Sequence, residues 1–329
     1  MTFSHSASPG DVVVGFDGSP TGADAVRWAA QEALRQGTRL DVISSGYYPG
    51  MPSWAGVAGT PSPRSIELAA EELADEGRRI AVKILPEEAV ETLAVTSGAA
   101  PALIDASSTA SLVVVGHRGH GALASAVLGS VSAAVVQCAH SPVVVVRGGS
   151  RQVAAMPLPV TVGVDGTPES EAALLFAAQR AARDEVPLRI VCAWLTLTQT
   201  GWEFANWSGD AIDEWASALS SSARHAADEA LATVRARWPA LEVEVRVVEA
   251  SPPLALEEAS RQSQLVVVST HGTSALGRLV LGSVSRTILH HAACPVAVVR
   301  PAGRPARLSP AVAPRQRDRS PRLGDRAPR

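Results

Sequence analysis

Leu112–Arg147 reads LVVVGHRGHGALASAVLGSVSAAVVQCAHSPVVVVR, and Leu265–Arg300 reads LVVVSTHGTSALGRLVLGSVSRTILHHAACPVAVVR. Aligned without a gap, 19 of the 36 positions are identical. Each copy runs from an apolar segment into a glycine-bearing loop, then a Gly-Ser pair, a helical stretch, and Pro followed by a valine run. Gly119 and Gly129 stand in the same relation as Gly272 and Gly282. An apolar run without polar alternation is the signature of a central parallel strand, buried on both faces. Small residues just past such a strand let the backbone pass close to a ligand. The segment therefore predicts an α/β fold built twice, with a ligand loop at the carboxyl end of a parallel strand in each copy.

The chain around these copies repeats the same order. VVVGFDGSP at 12–20 matches VTVGVDGTP at 160–168. In each, a β-rich run ends on Gly and Asp, as a strand entering a loop does. Ser19 and Pro20 have the chemistry of an N-cap and first helical residue, and Gly37 stops the helix that follows. The first half is expected to carry strands over 11–14, 40–43, 90–95, 112–115 and 143–146. Its helices are expected over 25–34, 64–80 and 100–107 and from about Ser130. The second half is expected to carry strands over 160–164, 188–193, 243–248 and the valine runs of the second copy, with helices over 220–238 and 253–261. Residues 46–63 read as an irregular loop, and 202–215 as its counterpart. Asp17 and Asp165 are offset by 148 and Gly129 and Gly282 by 153, so the second half holds five extra residues between these points. The expected organisation is domain 1 over 1–147, a linker over 148–157, domain 2 over 158–300 and a Pro/Arg-rich tail over 301–329 without the apolar residues to fold. Each domain is expected to be an open five-stranded parallel sheet with helices on both faces. The last strands, Val143–Val146 and Val296–Val299, would lie at sheet edges. Exposed valine edges seek pairing, so the halves are expected to join there as an internal pseudo-dimer, with a homodimer of the whole chain as a further possibility.

Composition narrows the function classes. The chain has 329 residues, 46% hydrophobic and 19% charged, with net charge −3. The tail from Pro301 carries eight Arg against two Asp, so the first 300 residues are at −9. An acidic body does not read as a nucleic-acid binder. Cys138, Cys192 and Cys294 are scattered and form no CxxC, which excludes a disulfide framework. The N-terminus, MTFSHSASPG, has neither basic region nor apolar core, and no apolar run reaches a membrane span, so a cytoplasmic protein without a membrane partner is expected.

The glycine segment is suited to phosphate. Open N–H groups of such a loop form an anion nest. Ser130 stands at a helix start, where the dipole and unsatisfied N–H groups also favour anions, and its hydroxyl can donate a further bond. Asp17 and Asp165 would sit on the same sheet edge, where a carboxylate suits a ribose hydroxyl or nucleobase amine; alternatively each only stabilises its turn. Arg118 could pair with a phosphate or simply be solvated. Ser269 stands where the first copy has Gly116, and a side chain there would crowd the loop if positive φ were needed.

These residues carry a resemblance. VVVGHRGHGALASAVLGSVS, with the VGFDGSP opening and the Pro-Val-Val-Val ending, closely resembles the universal stress protein family, whose signature is G-x2-G-x9-G-[ST]. The likeness covers about 9–147 and 158–300, which implies a tandem member with two Rossmann-like domains of the adenine nucleotide alpha hydrolase type. The ATP-binding branch of that family holds ATP at this motif. By position, the resemblance implies that Gly15 and Asp17 line the nucleoside and that Ser45 offers its backbone to adenine. Gly116, Gly119, Gly129 and Ser130 would hold the phosphates, with His117, Arg118, His120, Gly121, Val131 and Ser132 completing the cofactor site. The counterparts are Gly163, Asp165, Ala193, Ser269, His271, Gly272, Gly282, Ser283, Val284 and Ser285. A role in stress response or growth arrest, and an unidentified protein partner, are what the resemblance implies.

Other chemistries fit less well. A Walker-type loop needs a following Lys, and the sole lysine, Lys83, is far from either segment. A dinucleotide fold should carry G-x-G-x-x-G after its first strand; here that place holds Gly15-Phe16-Asp17-Gly18. Ser130 is not in a G-x-S-x-G elbow. The histidines near the segments do not repeat between copies, which argues against a protein-held transition metal; Mg2+ would arrive on ATP. No dedicated general base is evident, so ATP hydrolysis is expected to be slow or incidental. A slow ATPase or nucleotidyl-transfer enzyme is the alternative of another class, and a partner-binding module with a decayed site is a third.

Overall fold

The computed structural model describes residues 10–46, 62–119, 128–148, 158–195, 209–270 and 281–301. In the first half these form β1 (Val12–Phe16), α1 (Pro20–Gln36), β2 (Leu40–Ser45), α2 (Pro63–Ala81), β3 (Val90–Val95), α3 (Ala99–Ala106), β4 (Leu112–Gly116), α4 (Ser130–Cys138) and β5 (Val143–Val146). The second half repeats the order with β6 (Val160–Gly163), α5 (Pro168–Arg183), β7 (Leu188–Trp194), α6 (Gly209–Arg237), β8 (Val243–Glu249), α7 (Pro252–Ser260), β9 (Leu265–Ser269), α8 (Ser283–His291) and β10 (Val296–Val299). The irregular segments expected over 46–63 and 202–208, the linker beyond Gly148 and the tail beyond Pro301 lie almost wholly outside the described residues.

Local chemistry fixes the first crossover. Ser19 Oγ accepts the Gly22 N–H at 3.0 Å, Pro20 opens the helix, and Gly37 closes it at φ 66°. Such a glycine meets no Cβ penalty in the left-handed region. The return strand β2 then pairs parallel with β1, Val12 opposite Leu40. In the second half Thr167 caps α5 by accepting the Ser170 N–H at 3.2 Å. Most boundaries shift by a few residues from expectation, and the largest shift is at α6. α6 begins at Gly209, so 209–215 is helical rather than irregular. The stretch AIDEWASAL that follows Asp210 contains neither Gly nor Pro, and its alanines, Leu and Glu favour helix over loop.

All ten strands form one sheet in the order β3-β2-β1-β4-β5-β10-β9-β6-β7-β8. Within each half the strands are parallel. The halves join where β5 and β10 pair antiparallel, Val144 opposite Ala297. The two valine runs thus cover each other, and β3 and β8 become the outer strands. Alternating residues feed two apolar layers. Val12 and Val14 belong to the layer that α1, α2, α5 and α6 cover, while Val13 belongs to the layer that α3, α4, α7 and α8 cover.

Candidate functional site

β1 and β4 are neighbours, so the loops at their carboxyl ends converge. Asp17 Oδ1 accepts the Ser19 N–H at 3.0 Å and the Ser19 hydroxyl at 2.6 Å. The Thr21 hydroxyl donates to the Arg118 carbonyl, tying α1 to the glycine loop. The loop is closed at its base, where Gly129 N–H donates to the His117 carbonyl at 2.9 Å. Ser132 Oγ donates to the Gly116 carbonyl at 2.6 Å. α4 starts after Gly129, which has no side chain to cap it, and Ser130 is exposed. Unsatisfied first-turn N–H groups and the helix dipole make this end attractive to an anion.

The second half repeats the acidic turn, the loop closure and the serine anchor. Asp165 Oδ1 accepts from Thr167 N–H at 3.1 Å and from its hydroxyl at 2.6 Å. Gly282 N–H donates to the Thr270 carbonyl at 2.9 Å, and Ser285 Oγ to the Ser269 carbonyl at 2.6 Å. Around these bonds lies a cavity of about 340 Å3. Its walls bring together Gly163, Asp165, Ala193, Ser269, Gly282, Ser283, Val284 and Ser285. Val164, Val191, Pro252, Pro253, Leu256 and Val268 add an apolar side. A carboxylate, an apolar slot and an uncapped helix start in one cavity can hold a ligand that is apolar at one end and anionic at the other.

Several expected site residues have other duties. Ser132 and Ser285 are buried, with hydroxyls engaged by strand-end carbonyls, so each anchors its helix start to the strand end, and Ser285 also lines the cavity. Gly15 and Gly163 admit a leucine: a Cβ on them would lie 2.8 Å from Leu103 Cδ1 and 2.9 Å from Leu256 Cδ1. The concern over Ser269 dissolves, because neither it nor Gly116 has positive φ. Gly116 answers a local need instead, since a Cβ there would lie 3.0 Å from the Thr21 carbonyl. Ser45 lies at the end of β2, where its Oγ donates to the Ser97 carbonyl at 2.7 Å. Val131 and Val284 pack against the α3, α4, α7 and α8 layer. His120, Gly121, His271 and Gly272 lie outside the described residues.

His117 is drawn away from the first cradle. Its ring is 3% exposed and sits edge-on to His290 of α8, centroids 6.4 Å apart. Burial, with Arg147, Arg118 and His290 nearby, pushes its pKa down to about 4. Cys192, beside Asp165, is pushed up to about 12, chiefly by burial. The capping residue Thr167 and the leucines Leu103 and Leu256 were not singled out from sequence. The leucines' separation of 153, equal to that of Gly129 and Gly282, is the signal that marks them as counterparts.

Residues 10–147 and 156–300 each match the profile of the universal stress protein family. The chain belongs to the universal stress protein family. It is 36% identical over 307 residues to a universal stress protein of Mycolicibacterium smegmatis, covering 90% of this chain and 99% of that one. To one from Mycobacterium tuberculosis strain H37Rv it is 35% identical over 306 residues, covering 88% and 96%. The solved structure of a universal stress protein from Archaeoglobus fulgidus superposes with a TM-score of 0.58 at 17% identity, covering 88% of this chain and 96% of that one, and so shares the fold. Among the described residues no helix is long and apolar enough to cross a membrane.

Proposed function

We propose that this universal stress protein is an ATP-binding regulator of stress response or growth arrest, with one nucleotide cradle in each half. The cavity of the second half carries the reading most directly. Its apolar side suits the base, Asp165 suits a ribose hydroxyl or base amine, and the N-terminus of α8 with the exposed Ser283 suits phosphate. The same hydrogen-bonded frame in the first half supports a second cradle. Mg2+ would arrive with the nucleotide on phosphate oxygens. On this reading the binding units are 1–147 and 158–300, the protein is cytoplasmic, and occupancy shifts its conformation or choice of protein partner.

The test is chemical extraction. Purified protein, denatured and filtered, should release an adenine nucleotide identified by mass, and titration of stripped protein with ATP should show saturable binding. Release of no nucleotide together with no ATP binding would mean that the cavity serves something else.

A further inference from the structure

α1 and α5 meet across the middle of the sheet through charges that are almost completely buried. Glu32 on α1 is 2% exposed and Arg180 on α5 is 5% exposed, and the two form an ion pair. Arg183 Nη2 reaches Glu32 Oε1 at 2.6 Å, and Arg180 Nε reaches Asp184 Oδ2 at 2.5 Å. The Arg180 guanidinium also lies 5.3 Å from the centre of the Trp28 ring.

The positions of this pair are as informative as its charges. The offset of 148 that relates Asp17 to Asp165 also relates Glu32 to Arg180, in AAQE at 29–32 and AAQR at 177–180. Glu32 therefore touches its own counterpart. The same holds in the sheet, where Val144 faces Ala297 and the offset of 153 makes them counterparts. A residue that touches its counterpart lies on the two-fold axis of an isologous contact. Both pairs thus mark one pseudo-two-fold axis running through the seam.

Most of the seam is blind to which half is which. Arg147 donates to the Leu289 carbonyl at 2.8 Å, and its counterpart Arg300 donates to the Val136 carbonyl at 2.8 Å. The valine strands and these arginine contacts would form equally well between two first halves or two second halves. The axis charges would not. Two first halves would set Glu32 against Glu32, and two second halves Arg180 against Arg180. We propose that Glu32 and Arg180, set on the pseudo-two-fold axis, select pairing of unlike halves and reject pairing of like halves, including those of a second copy of this chain. A buried charge facing its like is disfavoured far more than an exposed one, and such repulsion sets partner choice at symmetric contacts.

Pseudo-symmetry supplies the experiment. In the full chain, Glu32→Arg with Gln36→Asp gives both halves the Arg180–Asp184 character. Arg180→Glu with Asp184→Gln gives both halves the Glu32–Gln36 character. Arg35 and Arg183 already correspond. Copies bearing two different tags are co-expressed and purified through one tag, and recovery of the other tag is read relative to wild type with wild type. The two variants expressed together should show at least a ten-fold rise, because only unlike chains can then form complementary axis pairs. Each variant expressed with itself should show no rise. A chain with all four substitutions, which transposes the network, should return to the wild-type level and stay soluble. The proposal is overturned if the mixed variants stay at the wild-type level, whether by remaining separate or by failing to fold. It is equally overturned if each variant rises as much with itself as with the other.

Discussion

A methyl group built on Gly119 would stand 2.2 Å from Asp17 Oδ2. Asp17 cannot swing clear without loss, because its Oδ1 is held by the Ser19 N–H and hydroxyl at 3.0 and 2.6 Å. The glycine loop and the acidic turn of the first half are thus fitted to each other. Gly119→Ala should push the carboxylate out of place and weaken the first cradle at least about ten-fold, or about 1.4 kcal/mol. Calorimetric titration with ATP should then report one strong site instead of two. Two unchanged sites in Gly119→Ala would refute the placement of the first cradle.

The two serines at each helix start have separate tasks. Ser285→Ala removes the donor to the half-buried Ser269 carbonyl and should lower stability by about 1 kcal/mol in urea unfolding. Ser283 is exposed at the first turn. Ser283→Ala should leave stability within about 0.5 kcal/mol while weakening ATP at the second site several-fold. An unfolding midpoint that drops as far in Ser283→Ala as in Ser285→Ala would remove this division.

The duplicated segment made much of this legible in advance. Apolar runs located the strands, Ser19 and Gly37 located the ends of α1, and the match of the two copies gave the parallel fold in each half. The sequence also pointed to both last strands as edges in need of cover, and their pairing follows the same logic of unpaired backbone groups. The individual duties inside the site were hidden. A motif shows that Gly15 must be small, but only packing shows that Leu103 is the reason. His117 sits between two motif positions, yet its ring belongs to the seam with α8, a neighbour 173 residues away in sequence at His290. Ser269 looked like a defect because its φ was unknown. The Glu32–Arg180 pair is visible only when both the repeat offset and the contact are known.

The thiols should differ sharply in reactivity. Cys192 and Cys294 are 1% and 5% exposed, and burial pushes both up to about 12. The thiolate is the reactive form, so neither should react in the folded protein at pH 8. Cys138 is half-buried and is the accessible member of the three. Labelling with a chromogenic disulfide should titrate one thiol quickly in the native chain and three in denaturant. Rapid modification of two or three native thiols would contradict the burial of Cys192 and Cys294.

His117 should make the seam sensitive to acid. Its pKa is lowered from 6.5 to about 4, first by burial, then by Arg147, Arg118 and His290, with a Leu289 backbone contact acting the other way. Below pH 6.5 the unfolded chain takes up a proton at this position and the folded chain does not. The unfolded state therefore binds more protons between about pH 6.5 and 4, and stability rises with pH across that window. Above pH 6.5 both states are neutral here and the contribution is flat. The full effect is at most about 3 kcal/mol, from the size of the shift, and is complete near pH 4. His117→Asn keeps a polar side chain without the titration, so its stability should fall less steeply than wild type between pH 6.5 and 4.5. Urea unfolding of both proteins at half-unit intervals checks this, and parallel curves would mean that the His117 proton is not linked to folding.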